Sequence, residues 1–132
     1  MKQPEKTLRI AFTAGAVTDA LAIVPMIIPP LARLMWGIDD SSGAYQLAMG
    51  YAASLMLGWT VLLVWAYRQP VERRFVAAIT IVVICGLILA EIVAVLLGTI
   101  PWLRMAPTWC IQIVLLILFG NALPTGRRWI HE

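Results

Sequence analysis

Two carboxylic acids, Asp19 and Glu91, stand inside apolar stretches of this chain and are the residues most able to do chemistry. An ionisable group placed in hydrocarbon is a functional candidate by default, because its charged form is costly there. One or both are therefore expected as the neutral acid, a form that can donate a hydrogen bond. Counted at the helical rise from the ends of their spans, Asp19 lies roughly 15 Å and Glu91 roughly 22 Å from the same edge of the apolar layer. Gln112 falls at about the depth of Glu91, so these two can hydrogen-bond. A purely structural use, an acid pinning two helices together, weighs nearly as heavily for both carboxyls as a functional one.

Ser54, Trp59 and Asn121 complete the set of ligand- or ion-binding candidates. Trp59 can form a pocket wall, although such a ring more often fills a core or faces lipid. Asn121 belongs to a polar layer with Thr13, Thr60 and Thr80, at similar depths on four different spans. A threonine in such a span usually bonds its own backbone, whereas an asparagine amide needs a partner helix or interfacial water. No metal site is expected. Cys85 and Cys110 differ in depth by roughly 10 Å, which makes a disulfide improbable, and they are read as reduced and buried. The single histidine, His131, belongs to the tail, and the adjacent Asp39 and Asp40 lack the further ligands a cation cage needs.

The elements that must hold these residues follow from composition. Hydrophobic residues make up 61% of the chain and charged ones 13%, with a mean hydropathy of +0.87, far from the balance of a soluble domain. A hydrocarbon core needs roughly 20 helical residues to cross it. Such runs are predicted from Leu8 to Ile28, Tyr45 to Tyr67, Phe75 to Leu97 and Pro107 to Leu123. The expectation is an all-α, integral membrane four-helix bundle with short loops, forming a single domain over residues 1–132. Continuous runs of Leu, Ile, Val and Ala argue against the alternating strands of a barrel. The first span resembles a signal peptide in its flanking lysines, but Asp19 interrupts it and apolar sequence continues to Ile28, so it is read as retained.

Cation placement predicts orientation. Lys2, Lys6 and Arg9, then Arg68, Arg73 and Arg74, then Arg127 and Arg128 all flank one face, leaving Arg33 and Arg104 for the other. By the bias of Lys and Arg toward the cytoplasm, both termini are expected inside, in the plasma (inner) membrane of a prokaryote. The net charge of +3 is a topological signal and a modest attraction to anionic headgroups, too sparse for nucleic acid. Pro25 can kink the first span, Pro29 and Pro30 end or redirect it, and Leu31 to Trp36 are read as a short interfacial turn. Residues Asp39 to Gly43 are read as caps for the second span, and Pro70 with Glu72 as the first turn of the third. Pro101, Trp102, Arg104, Pro107 and Trp109 read as an outer connection that joins Trp36 in an aromatic belt, with Trp65, Tyr67 and Trp129 as its counterpart.

In lipid, helices meet where small residues let backbones approach. Gly50, Ser54 and Gly58 form one such row and Gly86, Ala90, Ala94 and Gly98 another, and these two faces are expected to pack together. Ala11 and Gly15 lead to Asp19 on a stripe of the first span. The fourth span, rich in Ile, Leu and Val from Ile111 to Phe119, is expected to be the most lipid-exposed.

Three function classes remain. The first is a non-enzymatic component of the membrane, either an accessory or assembly subunit or a bundle that binds an apolar ligand, with other membrane subunits or a second copy as partners besides the lipid bilayer. The second is an oligomeric transporter or channel using Asp19 or Glu91. Four helices with an acid in the first are similar in outline to small multidrug transporters, whose characteristic acid is a glutamate where this chain has Asp19. No stretch reproduces that family's sequence pattern, so the outline alone is shared. The third is an intramembrane enzyme acting on a lipid or sterol-like substrate, with the two carboxyls as acid and base. The first ranks highest because no catalytic constellation is visible. No cofactor can be assigned.

Overall fold

With no water in the bilayer core to satisfy backbone polar groups, an apolar run of this length must bond to itself as a helix. The computed structural model describes residues 3–123. Lys2, Arg127, Arg128, Trp129 and His131 lie outside the described residues. The order is α1 (Gln3–Ile27), α2 (Pro29–Trp36), α3 (Gly43–Arg68), α4 (Phe75–Leu96) and α5 (Trp102–Ala122). All but α2 are long and apolar enough to cross a membrane, which makes this an all-α integral membrane protein.

The connections explain where the helices stop. One end of the bundle, here the turn end, carries the start of α1, the 69–74 turn and the close of α5. The opposite, loop end carries α2 and the other two connections. At the turn end α4 begins at Phe75, so Pro70 and Glu72 lie in the turn and not in a first helical turn as expected. Arg73 holds that turn tight: its backbone N–H donates to Gln69 O at 3.0 Å, and its guanidinium lies 3.6 Å from the Trp65 ring centre while donating to the Trp65 carbonyl.

At the loop end the short interfacial turn is a two-turn helix. Pro29 and Pro30 open α2, where their missing N–H groups have no intrahelical role. Gly37 closes it at φ 71° and donates its backbone N–H to Arg33 O at 3.0 Å, and Arg104 Nη1 donates to the carbonyls of Arg33 and Leu34 at 3.2 and 2.7 Å. Arg33 itself pairs with Asp39. The Ser42 Oγ accepts from Tyr45 N at 3.2 Å and caps α3. Asp40 Oδ1 accepts from Ser42 N at 2.8 Å, and the bond holds this exposed carboxyl below its ordinary range. The last span starts at Trp102, not Pro107. Pro101 supplies the carbonyl for Arg104 N and Met105 N at 3.0 and 3.3 Å, so a turn is complete before Pro107 removes one backbone bond.

Packing differs from the sequence expectation in a consistent way. Helix α1 is the centre: it makes its widest contact with α3 and a second with α5, and α4 leans mainly on α5. In cross-section the spans follow as α3, α1, α5, α4, and α3 and α4 barely meet. The predicted face of Gly50, Ser54 and Gly58 against Gly86, Ala90, Ala94 and Gly98 is therefore not formed. Ala94 is half-buried, the other residues of the two rows are exposed, and a side chain at any of these four glycines would meet nothing within 4 Å. The close approach occurs instead at Gly15, where a Cβ would stand 3.1 Å from both Leu63 Cδ1 and Phe119 Cζ. Nor is α5 the lipid-facing helix, since Gln112, Leu115, Phe119 and Ala122 point inward. Phe12 and Phe119 meet edge to face with centroids 6.0 Å apart. They anchor a core with Leu8, Leu63 and Val76 toward the turn end. Cys85 and Cys110 are free thiols on the outer surface, exposed and not buried as read from sequence.

Gly15→Leu should lower thermal stability in detergent by about 1 to 3 kcal/mol through overpacking against Leu63 and Phe119. Gly58→Leu, on an open face, should leave the melting temperature nearly unchanged. Equal losses would mean that α1 is not the helix wedged between its neighbours.

Candidate functional site

Just beyond Gly15, toward the loop end, the helices part around a cavity of about 410 Å³. Its walls are built by all four spans: Gly15, Asp19 and Met26 from α1, Met56 and Trp59 from α3, Thr80, Ile84 and Leu87 from α4, and Leu115 and Phe119 from α5. Thr80, Ile84 and Leu87 recur at helical spacing and form one stripe. The lining is almost wholly carbon and sulfur. Asp19, half-buried, is its one ionisable group among the described residues. Leu55 and Leu87 also line the cavity, yet 76% and 37% of their surface is exposed. The space therefore opens sideways through the α3 and α4 seam, which in a membrane faces lipid.

One hydrogen bond closes the turn-ward end of that seam. Trp59 Nε1 donates to Thr80 Oγ1 at 3.2 Å, and the same hydroxyl donates to Val76 O at 2.7 Å. A buried threonine thus satisfies both its own helix and the indole of the neighbour. Thr13 and Thr60 serve only their own helices, donating to Arg9 O and Met56 O.

Glu91 lies on the α4 stripe one turn past Leu87 but is not a lining residue of the cavity. It meets α5 instead: Gln112 Nε2 donates to Glu91 Oε1 at 2.8 Å. The Trp109 indole is close enough to interact with this carboxyl, although its Nε1 completes no hydrogen bond. Glu91 Oε2 and Gln112 Oε1 are likewise buried without one among the described residues. Asp19 and Glu91 are thus separated in role, one on a cavity wall and one in an interhelical pair. Ser54 is exposed on α3. Asn121 is exposed near the end of α5 and engaged with a partner. No three His, Cys, Asp or Glu side chains cluster as a metal site among the described residues.

Two contributors escaped the sequence reading. Thr80 was assigned to its own backbone alone, and Trp109 only to an aromatic belt. A usable signal existed. Each bonded pair is centred in sequence on a connection, Trp59 and Thr80 on Gln69 and Pro70, Glu91 and Gln112 on Pro101 and Trp102, and this places its members level across an antiparallel hairpin. No family model, curated protein or solved structure matches the chain.

Glu91→Gln should keep the Gln112 bond and fold normally, because an amide oxygen replaces Oε1 as acceptor. Glu91→Leu and Gln112→Leu should each destabilise, with a coupling of about 0.5 to 2 kcal/mol in a double-mutant cycle in detergent. Strict additivity would show that the pair contributes nothing to joining α4 and α5.

Proposed function

We propose that this chain is a non-enzymatic component of the membrane that holds an apolar molecule between its helices, with Asp19 meeting the one polar group of that molecule. The observation that carries the reading is the 410 Å³ apolar cavity, open to lipid at the α3 and α4 seam and furnished with a single carboxyl. Its volume is within the roughly 300–1,000 Å³ of small-ligand pockets. The shape of the chemistry points to an acyl, isoprenoid or sterol-like compound ending in a hydroxyl, carbonyl or amine. Against catalysis stands the absence of any His, Tyr, Cys or second acid from the described lining, which leaves Asp19 no partner for acid and base work. The exposed rows at Gly50, Ser54 and Gly58 and at Gly86 and Ala90 give another membrane subunit, or a second copy, backbone to approach closely.

The same reading places the protein in a prokaryotic inner membrane with its turn end cytoplasmic. Lys6, Arg9, Arg68, Arg73 and Arg74 gather there against Glu5 and Glu72, whereas Arg33 and Arg104 at the loop end are matched in number by Asp39 and Asp40. This is the asymmetry that retains a loop on the cytoplasmic side. A transporter is the second reading, favoured by an acid on a laterally open cavity.

The wild-type chain, gently extracted and analysed by mass spectrometry of its organic extract, should carry a defined apolar compound at near one per chain. Ala52 of α3 also lines the cavity, and Ala52→Phe, which fills it, should reduce retention about ten-fold, a loss of about 1.4 kcal/mol. Asp19→Asn should weaken retention while leaving the bundle folded. Proton-linked uptake into vesicles that Asp19→Asn abolishes would instead establish transport, and retention unchanged in both variants would remove the cavity from consideration.

For orientation, single cysteines introduced at Ser42 and Gln69, with Cys85 and Cys110 replaced by Ala, should be labelled from opposite sides of sealed vesicles. Gln69 should respond on the cytoplasmic face. Labelling of both from one side would break the alternation of the spans.

A further inference from the structure

A second hollow, distinct from the cavity at Asp19, lies at the turn end where the start of α1 meets the last turn of α3. It measures about 420 Å³ and is lined by Lys6, Arg9, Ile10, Thr13, Ala14 and Tyr67. Charge and carbon are graded along it. Lys6 is exposed at its outer end, and among the described residues no ion pair engages its ammonium. The Arg9 guanidinium lies 4.8 Å from the centre of the Tyr67 ring and donates from Nε and Nη2 to Glu5 Oε1 at 3.1 and 3.0 Å. It is fixed in place, and its charge is partly offset by Glu5. The net attraction for an anion therefore comes from Lys6, with Arg9 as an oriented donor beside it.

Deeper along the groove the surface is carbon. Ile10 is 50% exposed, and the Thr13 hydroxyl is already given to the Arg9 carbonyl at 2.8 Å, so its methyl group is what remains to be contacted. From Lys6 to Ala14 the groove runs about 12 Å along α1 at the helical rise. A cation at the aqueous edge, an amphipathic ring beside it and an apolar track leading toward the bilayer centre match a molecule with an anionic head and a hydrocarbon tail. We infer that this groove binds an anionic phospholipid of the leaflet at the turn end, with its phosphate at Lys6 and Arg9 and an acyl chain along Ile10 and Ala14. A soluble anion would use only the first of these contacts and leave the apolar track bare. The inference stands apart from the proposed function, because the groove shares no lining residue with the cavity at Asp19.

The test is titration of the purified full chain, in a neutral detergent, with phosphatidylglycerol or with phosphatidylcholine of identical acyl chains, read by native mass spectrometry. Phosphatidylglycerol should bind about ten-fold tighter. Lys6→Gln should reduce its affinity about five-fold, equivalent to about 1 kcal/mol for one interfacial charge, without shifting the melting temperature, since Lys6 is exposed. Lys6→Arg should restore it, and Arg33→Gln at the loop end should change nothing. Equal affinity for the two lipids, or an unchanged phosphatidylglycerol affinity in Lys6→Gln, would overturn the assignment. Displacement of the lipid by millimolar inorganic phosphate would overturn it too, by identifying a site for a free anion.

Discussion

The close approach of α1 to α3 and α5 at Gly15 is the constraint on which the bundle depends. In hydrocarbon there is no hydrophobic force to press helices together, so contact has to come from dispersion between surfaces that fit. A missing side chain at Gly15 lets Leu63 and Phe119 reach the α1 backbone, and Phe12 then meets Phe119 edge to face. Everything at the turn end condenses around that point. Toward the loop end the helices part, and the space that opens is the cavity. Core and cavity thus adjoin at Gly15, which touches Leu63 and Phe119 on one side and lines the open space on the other.

Polar groups inside the spans are used sparingly and in pairs. Trp59 with Thr80 ties α3 to α4, and Gln112 with Glu91 ties α4 to α5. Helix α4, with little contact to the central helix, is therefore held by one hydrogen bond on each side in addition to its packing on α5. Arg104, in the first turn of α5, performs a similar service, binding the end of α2 to α5 through two carbonyls. Asp19 stands outside this system: no hydrogen bond ties it to another helix among the described residues, and it faces open space.

Which properties were legible in the sequence follows from which are local. Span number and approximate limits depend on run length and on turn residues, so the four long helices and the Ser42 cap could be read directly. The Glu91 and Gln112 pair was legible for the same reason, because equal distance from the third connection fixes equal depth. Lateral packing was not. In a soluble bundle the apolar stripe marks the inner face, but here every face of α4 is apolar and hydropathy carries no direction. The rows of Gly50 and Gly58 and of Gly86 were assigned inward on spacing alone and face outward. Leu115 was assigned to lipid and lines the cavity. The boundary at Trp102 was missed because Pro107 was taken as a stop, whereas a proline early in a helix forfeits a single bond.

The ring of helices is complete on three sides and interrupted on the fourth. Parting α3 from α4 disturbs the Trp59 to Thr80 bond and few other contacts, while the core around Phe12 and Phe119 is left whole. The surrounding lipid thus serves as the missing wall. Lateral pressure in a bilayer bears on such a seam, here bordered by Leu55 and Leu87. The boundary of the cavity is in this sense shared between protein and bilayer.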